Sequence, residues 1–186
     1  MRIYIPVTIR MLQQFVVDQQ IFPLGGTAFA VTPALRESYV SGDDEELAEV
    51  AMRDAGRASL RLLSGEVDAW VESGAGESGA HASDTDEAQQ APFFRRAVLV
   101  ADVESVTLRS DLDDAVVKVS GPIRMSDVAS AHIDLVGAEA AVATAVKVID
   151  QADLGDPDAE FALGDVEDHD FAWYATQELN FLLELL

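Results

Sequence analysis

Glu167-Asp168-His169-Asp170, followed by Trp173-Tyr174 and Gln177-Glu178, is the stretch of this chain whose residue types could do chemistry. Read as a helix, it places Glu167, Asp170, Tyr174 and Gln177 on one face at i, i+3, i+7 and i+10. A line of carboxylates and a phenol could hold a metal ion or move protons. An E-x-x-H metal pair is absent, because His169 follows Glu167 by only two residues. The bland account is a polar helix start, with Trp173 and Tyr174 packing on a sheet. Glu167, His169 and Asp170 are the catalytic candidates; no metal set and no cofactor are assigned.

A second candidate is cationic. Glu49, Arg53, Arg57 and Arg61 recur at i, i+4 steps on one helix face. A solvated face would use the Glu–Arg pair for a few tenths of a kcal/mol. Alternatively Arg53, Arg57 and Arg61 dock carboxylates of the C-terminal third, or bind an anionic ligand or partner by bidentate contacts.

Residues 150–170 hold nine acids and no base. Asp153-Leu-Gly-Asp-Pro-Asp-Ala-Glu invites a calcium reading, but its spacing fails the D-x-D-x-D-G loop with Glu at position 12. Acids at helix N-termini do ordinary work against the helix dipole. Gly74-Ala-Gly-Glu-Ser-Gly79 matches G-x-G-x-x-G to the letter. That motif needs a preceding strand and a following helix, and here an acidic stretch surrounds it, so the match is by chance. His132 alternates within an apolar strand, as a core or edge histidine does, and His81 sits in the acidic stretch. No G-x-S-x-G, P-loop or S-x-x-K pattern occurs.

Of the formal net charge of -22, residues 66–92 contribute seven acids and no base, and residues 125–186 fourteen acids against Lys147 alone. A near-neutral body with an acidic loop and an acidic C-terminal face is expected. Nucleic acid is an unsuitable ligand, since phosphate binding needs clustered Lys and Arg. There is no cysteine, which excludes thiolate nucleophiles and disulfides. Without an apolar leader or a run of 18 apolar residues, a cytoplasmic protein that does not span a membrane is expected. Ala, Asp, Val and Arg are abundant and Lys is scarce. A GC-rich genome explains this better than salt adaptation.

The elements that must position these groups follow from periodicity and caps. Residues 2–7 and 27–32 read as strands. Thr8 caps a helix with Ile9, Leu12, Phe15 and Val16 on one face, and Thr32-Pro33 opens a short helix. Asp43, with Glu46 three residues on, caps a helix over about 44–64, closed by Ser64-Gly65. Residues 66–92 form a disordered acidic loop or insertion. Strands follow at 95–103, 114–120 and 131–135, then helices at 138–150, 157–164 and 166–184. This order predicts one α/β or α+β domain over 1–186, a small mixed sheet of about five strands packed with helices. The apolar tail Phe181–Leu186 packs on the body or closes a homodimer.

AFAVTPALRESY at 28–39, GDDEELAEVA at 42–51, VSGPIRMSDVASAHID at 119–134, and DLGDPDAEFAL with EDHDFAWYATQEL at 153–179 together resemble an uncharacterised actinobacterial family, a domain of unknown function. The resemblance covers nearly all the chain outside 66–92. It implies no activity, substrate or cofactor. It directs attention to Arg36, Glu37, Asp43 and Asp168 as polar members of these motifs, beside Glu167, His169 and Asp170. The expectation is a non-enzymatic protein-interaction or regulatory module with a strongly acidic C-terminal face. The alternative is a metal-assisted or acid–base hydrolase using Glu167, His169 and Asp170.

Overall fold

The helix starts are set by side-chain caps. In the computed structural model, which describes residues 1–74 and 90–186, Thr8 accepts a hydrogen bond from the Met11 N–H and opens α1, Ile9–Asp18. Thr32 does the same for Leu35 and, with Pro33 in the first turn, opens α2, Pro33–Ser38. Asp43 accepts from the N–H groups of Glu45 and Glu46, and the Glu46 carboxylate accepts from the Asp43 N–H. This capping box opens α3, Asp44–Glu72. Each cap satisfies donors that a first helical turn leaves unpaired.

The described residues form nine strands: β1 (Arg2–Val7), β2 (Gln20–Ile21), β3 (Thr27–Phe29), β4 (Ala97–Asp102), β5 (Thr107–Leu108), β6 (Val116–Lys118), β7 (Ile123–Arg124), β8 (Val128–Asp134) and β9 (Phe171–Ala175). Seven make one sheet in the order β5-β6-β3-β1-β4-β8-β9, and β2 pairs separately with β7. Every pairing is antiparallel. The fold is α/β as expected, with more strands than five and an antiparallel rather than mixed sheet.

Alternation along the strands divides the core between the two faces. Ile3, Ile5, Val7, Leu99, Ala131 and Ile133 pack with α1 and α7 (Leu179–Glu184) on one side. Tyr4, Val98 and Val100 face Leu47, Ala51 and Ala55 of α3 on the other. The C-terminal half of α3 packs through Leu60 and Leu63 against α4 (Glu139–Val146), α5 (Ile149–Asp153) and α6 (Pro157–Glu167). Among the described residues no helix is long and apolar enough to cross a membrane.

Three sequence expectations change. Helix α3 does not stop at Ser64-Gly65 but runs to Glu72. Gly65 costs a helix about 1 kcal/mol relative to Ala. The packing of Leu63 and Val67, and a 2.5 Å hydrogen bond donated by Thr8 Oγ1 to Glu66, outweigh it. Residues 66–72 are therefore helical rather than part of an acidic loop; residues 75–89, with most of the G-x-G-x-x-G match and His81, lie outside the described residues. The helix expected over 166–184 is interrupted by β9. Phe171-Ala-Trp-Tyr-Ala175 is rich in aromatic residues that favour strands, and the open edge of β8 pairs with it. The helix expected over 138–150 divides into α4 and α5 at Lys147-Val148.

Candidate functional site

The strand register builds the floor of a cleft. Tyr4 of β1 pairs with Val100 of β4, and Val100 with Ser130 of β8. One rung along, Val98 pairs with His132, and His132 with Trp173 of β9. All these side chains point to the face under α3. Helix α3 covers only part of that face. Ala48, Glu49, Met52 and Arg53 form one wall, and Glu167, His169 and Asp170 of the α6–β9 junction form another. The open cleft between them has a volume of about 650 Å³.

A buried ion pair fixes the α6–β9 junction. Arg96 and Asp134 have side chains only 4% and 0% exposed. Arg96 Nε and Nη2 donate to the two Asp134 oxygens at 2.9 and 2.8 Å, and the Arg96 backbone N–H donates to Asp134 at 2.8 Å. Nη2 also donates to the carbonyl of His169 at 2.8 Å. The guanidinium stacks over the Phe171 ring, 4.5 Å from its centroid. The edge of that ring also meets α3 at Gly56, where a Cβ would lie 3.0 Å from Phe171 Cζ. The absence of a side chain lets helix and strand approach, and His169 and Asp170 are thereby held at the cleft.

The cleft contains groups able to handle protons. His132 Nε2 lies 3.2 Å from Ser130 Oγ. Burial pushes the His132 imidazolium below its usual pKa, which favours a neutral base. Burial likewise raises the Tyr4 phenol. Ser130, His132 and Asp134 are alternate residues of one strand, yet they make no Ser–His–Asp relay, because Arg96 holds the Asp134 carboxylate. Among the described residues, no three His, Asp or Glu side chains are close enough together to hold a metal ion.

The candidates read from the sequence are distributed as follows. Glu167, His169 and Asp170 all line the cleft, but not on one helix face with Tyr174 and Gln177. Tyr174 packs from β9 into the core on the opposite side of the sheet. The arginine ladder divides. Arg57 donates to Glu160 at 2.5 Å and Arg61 to Asp153 at 2.7 and 2.5 Å, joining α3 to α5 and α6. Arg53 stands at the cleft. Asp153 is thus an ion-pair partner, and Asp156 caps α6. Arg36 pairs with Asp44, Asp43 caps α3, and Glu37 is exposed on α2, all apart from the cleft. Asp168 caps the end of α6.

Sequence reasoning did not single out Tyr4, Arg96 or Ser130, and it read Trp173 as packing on a sheet and His132 as a core or edge residue. The alternation of Ser130 and His132 along β8 carried that signal.

A model of a family of unknown function, DUF6912, matches residues 1–183. No curated protein and no solved structure matches the chain. The family match takes in the sheet, α3 and every wall of the cleft, and the chain belongs to this family of unknown function, DUF6912.

Proposed function

We propose that this protein is a non-enzymatic protein-interaction module of the cytoplasm, and that its acidic C-terminal face and cleft receive a basic segment of a partner. One observation carries the reading. Among the described residues, the cleft-lining carboxylates Glu49, Glu167 and Asp170 and the guanidinium of Arg53 enter no ion pair within 4 Å. Three unneutralised acids against one base leave the cleft negative, and a walled cleft focuses such a field and speeds the arrival of cations. Trp173 is 60% exposed beside them, an aromatic face that attracts Lys or Arg. A second copy of the chain, with its own charge of -22, is repelled by the same field. The actinobacterial source implied by the resemblance agrees with the Arg-over-Lys composition.

An oligolysine peptide titrated into the protein, followed by calorimetry at 20 to 500 mM NaCl, tests this. Binding that weakens with salt, and that Glu167→Gln with Asp170→Asn weakens further, supports the reading. Affinity indifferent to salt and to both substitutions overturns it.

The contact of Ser130 with His132 favours a second reading, acid–base hydrolysis in the same cleft with Glu167, His169 and Asp170. With no three-ligand cluster among the described residues, its acid–base form is better supported than its metal-assisted form. Turnover of ester, phosphoester or amide substrates that is lost in both His132→Ala and Glu167→Gln would support it.

A further inference from the structure

We propose that the free edge of β9 takes a basic, extended segment of a partner protein as an eighth strand of the sheet. This rests on the interaction reading above and specifies how the partner is held.

Among the described residues, strand β9 is the last strand of the sheet and pairs with β8 alone. In an antiparallel ladder, successive residues turn their backbone N–H and C=O groups to opposite sides. Asp134 of β8 donates its N–H to Arg96, toward β4, so Ala131 and Ile133 bond to Tyr174 and Ala172 on the other side. The backbone groups of Phe171, Trp173 and Ala175 therefore point away from the sheet. The Ala175 N–H is occupied by Glu178 Oε2 at 2.8 Å. Phe171 and Trp173 remain as the outward rungs of a short ladder closed at one end.

Edge strands are normally protected by lysine, proline, a bulge or brevity. Phe171-Ala-Trp-Tyr-Ala175 has no charge and no proline, and its pairing with β8 is regular over five residues. The opposite edge, β5, is two residues long and offers no comparable template. What flanks β9 is negative charge: Glu167, Asp168 and Asp170 before it and Glu178 after it. That charge repels a second β9 edge and complements a cationic strand. Because three of the four acids stand at the Phe171 end, the partner's basic residues belong there. Alternate partner side chains would fall on the face that holds Trp173 and His132, so backbone pairing supplies affinity and the cleft supplies selectivity.

The test uses the full chain and an alternating Lys-Val hexapeptide, whose period of two fixes the face it presents. Two further versions of the peptide carry N-methyl groups on its odd or its even amides. One N-methylated version should bind at least about tenfold more weakly than the parent and the other should match it, since each lost backbone bond counts directly in affinity. Amide exchange at Phe171 and Trp173 should slow on binding, while Ala172 and Tyr174 stay unchanged. Trp173→Pro, which removes an outward N–H that an edge strand can spare, should bind more weakly than Trp173→Val, which keeps it. Parent and both methylated peptides binding alike, with unchanged exchange at Trp173, would overturn the strand addition and leave the acidic-cleft reading intact. Failure of the parent peptide to bind at low salt would overturn both.

Discussion

Replacing Asp134 with Ala should destabilise the protein by about 3–5 kcal/mol, because it strands a guanidinium that is 4% exposed. Arg96 would keep only the His169 carbonyl and the Phe171 ring as partners. Against a typical stability of about 5–15 kcal/mol the loss is large. With a urea slope near 2 kcal/mol/M it lowers the unfolding midpoint by about 2 M. Removing both charges is a different perturbation. Arg96→Met with Asp134→Leu also removes the cost of desolvating the pair, so part of the global stability should return, the shortfall being about 1–3 kcal/mol for the backbone N–H of residue 96 that loses its acceptor. The local effect should not return, since no donor then meets the His169 carbonyl. Urea unfolding followed by circular dichroism measures the first quantity. Hydrogen exchange over 168–175 measures the second, and should remain faster than wild type in the double variant. A loss below about 1 kcal/mol in Asp134→Ala would refute the reasoning. So would a double variant as unstable as the single.

The titrating groups act in opposite directions. Burial, and then the charge of Asp113, push the Asp54 carboxyl up to about 6. The folded state thus holds this proton more tightly than the unfolded state, and stability from this group falls as pH rises from about 4 to about 6. A full shift of this size is worth about 3 kcal/mol; discounted for partial exposure, Asp54→Asn should stabilise the protein by about 1–2 kcal/mol at pH 7.5 and by little at pH 4, as urea unfolding at the two pH values would show. His132 is lowered by burial, so its contribution is present above about pH 6.5 and lost as pH falls. Its imidazole resonances should titrate with a midpoint below that value, and a midpoint at or above it would contradict the buried placement. Asp43→Ala removes the capping box of α3 and should cost about 1 kcal/mol in thermal or urea unfolding. Arg57 and Arg61 form partly exposed pairs, so replacing either by Ala should cost no more than about 1 kcal/mol at low salt and less at 0.5 M NaCl.

Where a local rule suffices, the chain is legible without its structure. Thr8, Thr32 and Asp43 open the helices expected of them, because a cap is a bond between residues two or three apart. The apolar runs that become β1 and β4 are buried along almost their whole length, and the uneven acidity is a property of composition. The tetrad Glu167 to Asp170 could also be picked out by residue type alone. Everything that makes it part of a site depends on contacts distant in sequence. Whether Phe171–Ala175 coils as a helix or extends beside β8 was decided by the free edge of β8. Whether α3 ends at Gly65 was decided by Thr8 and the α4–α6 layer. The cleft joins Tyr4, Glu49, His132 and Trp173 because sheet register brings them together, and pairings between distant strands leave no trace in local periodicity. Arg96 and Asp134 look like ordinary surface charges in the sequence. Only the fold, by burying both and aiming one at the His169 carbonyl, makes them the anchor of the site.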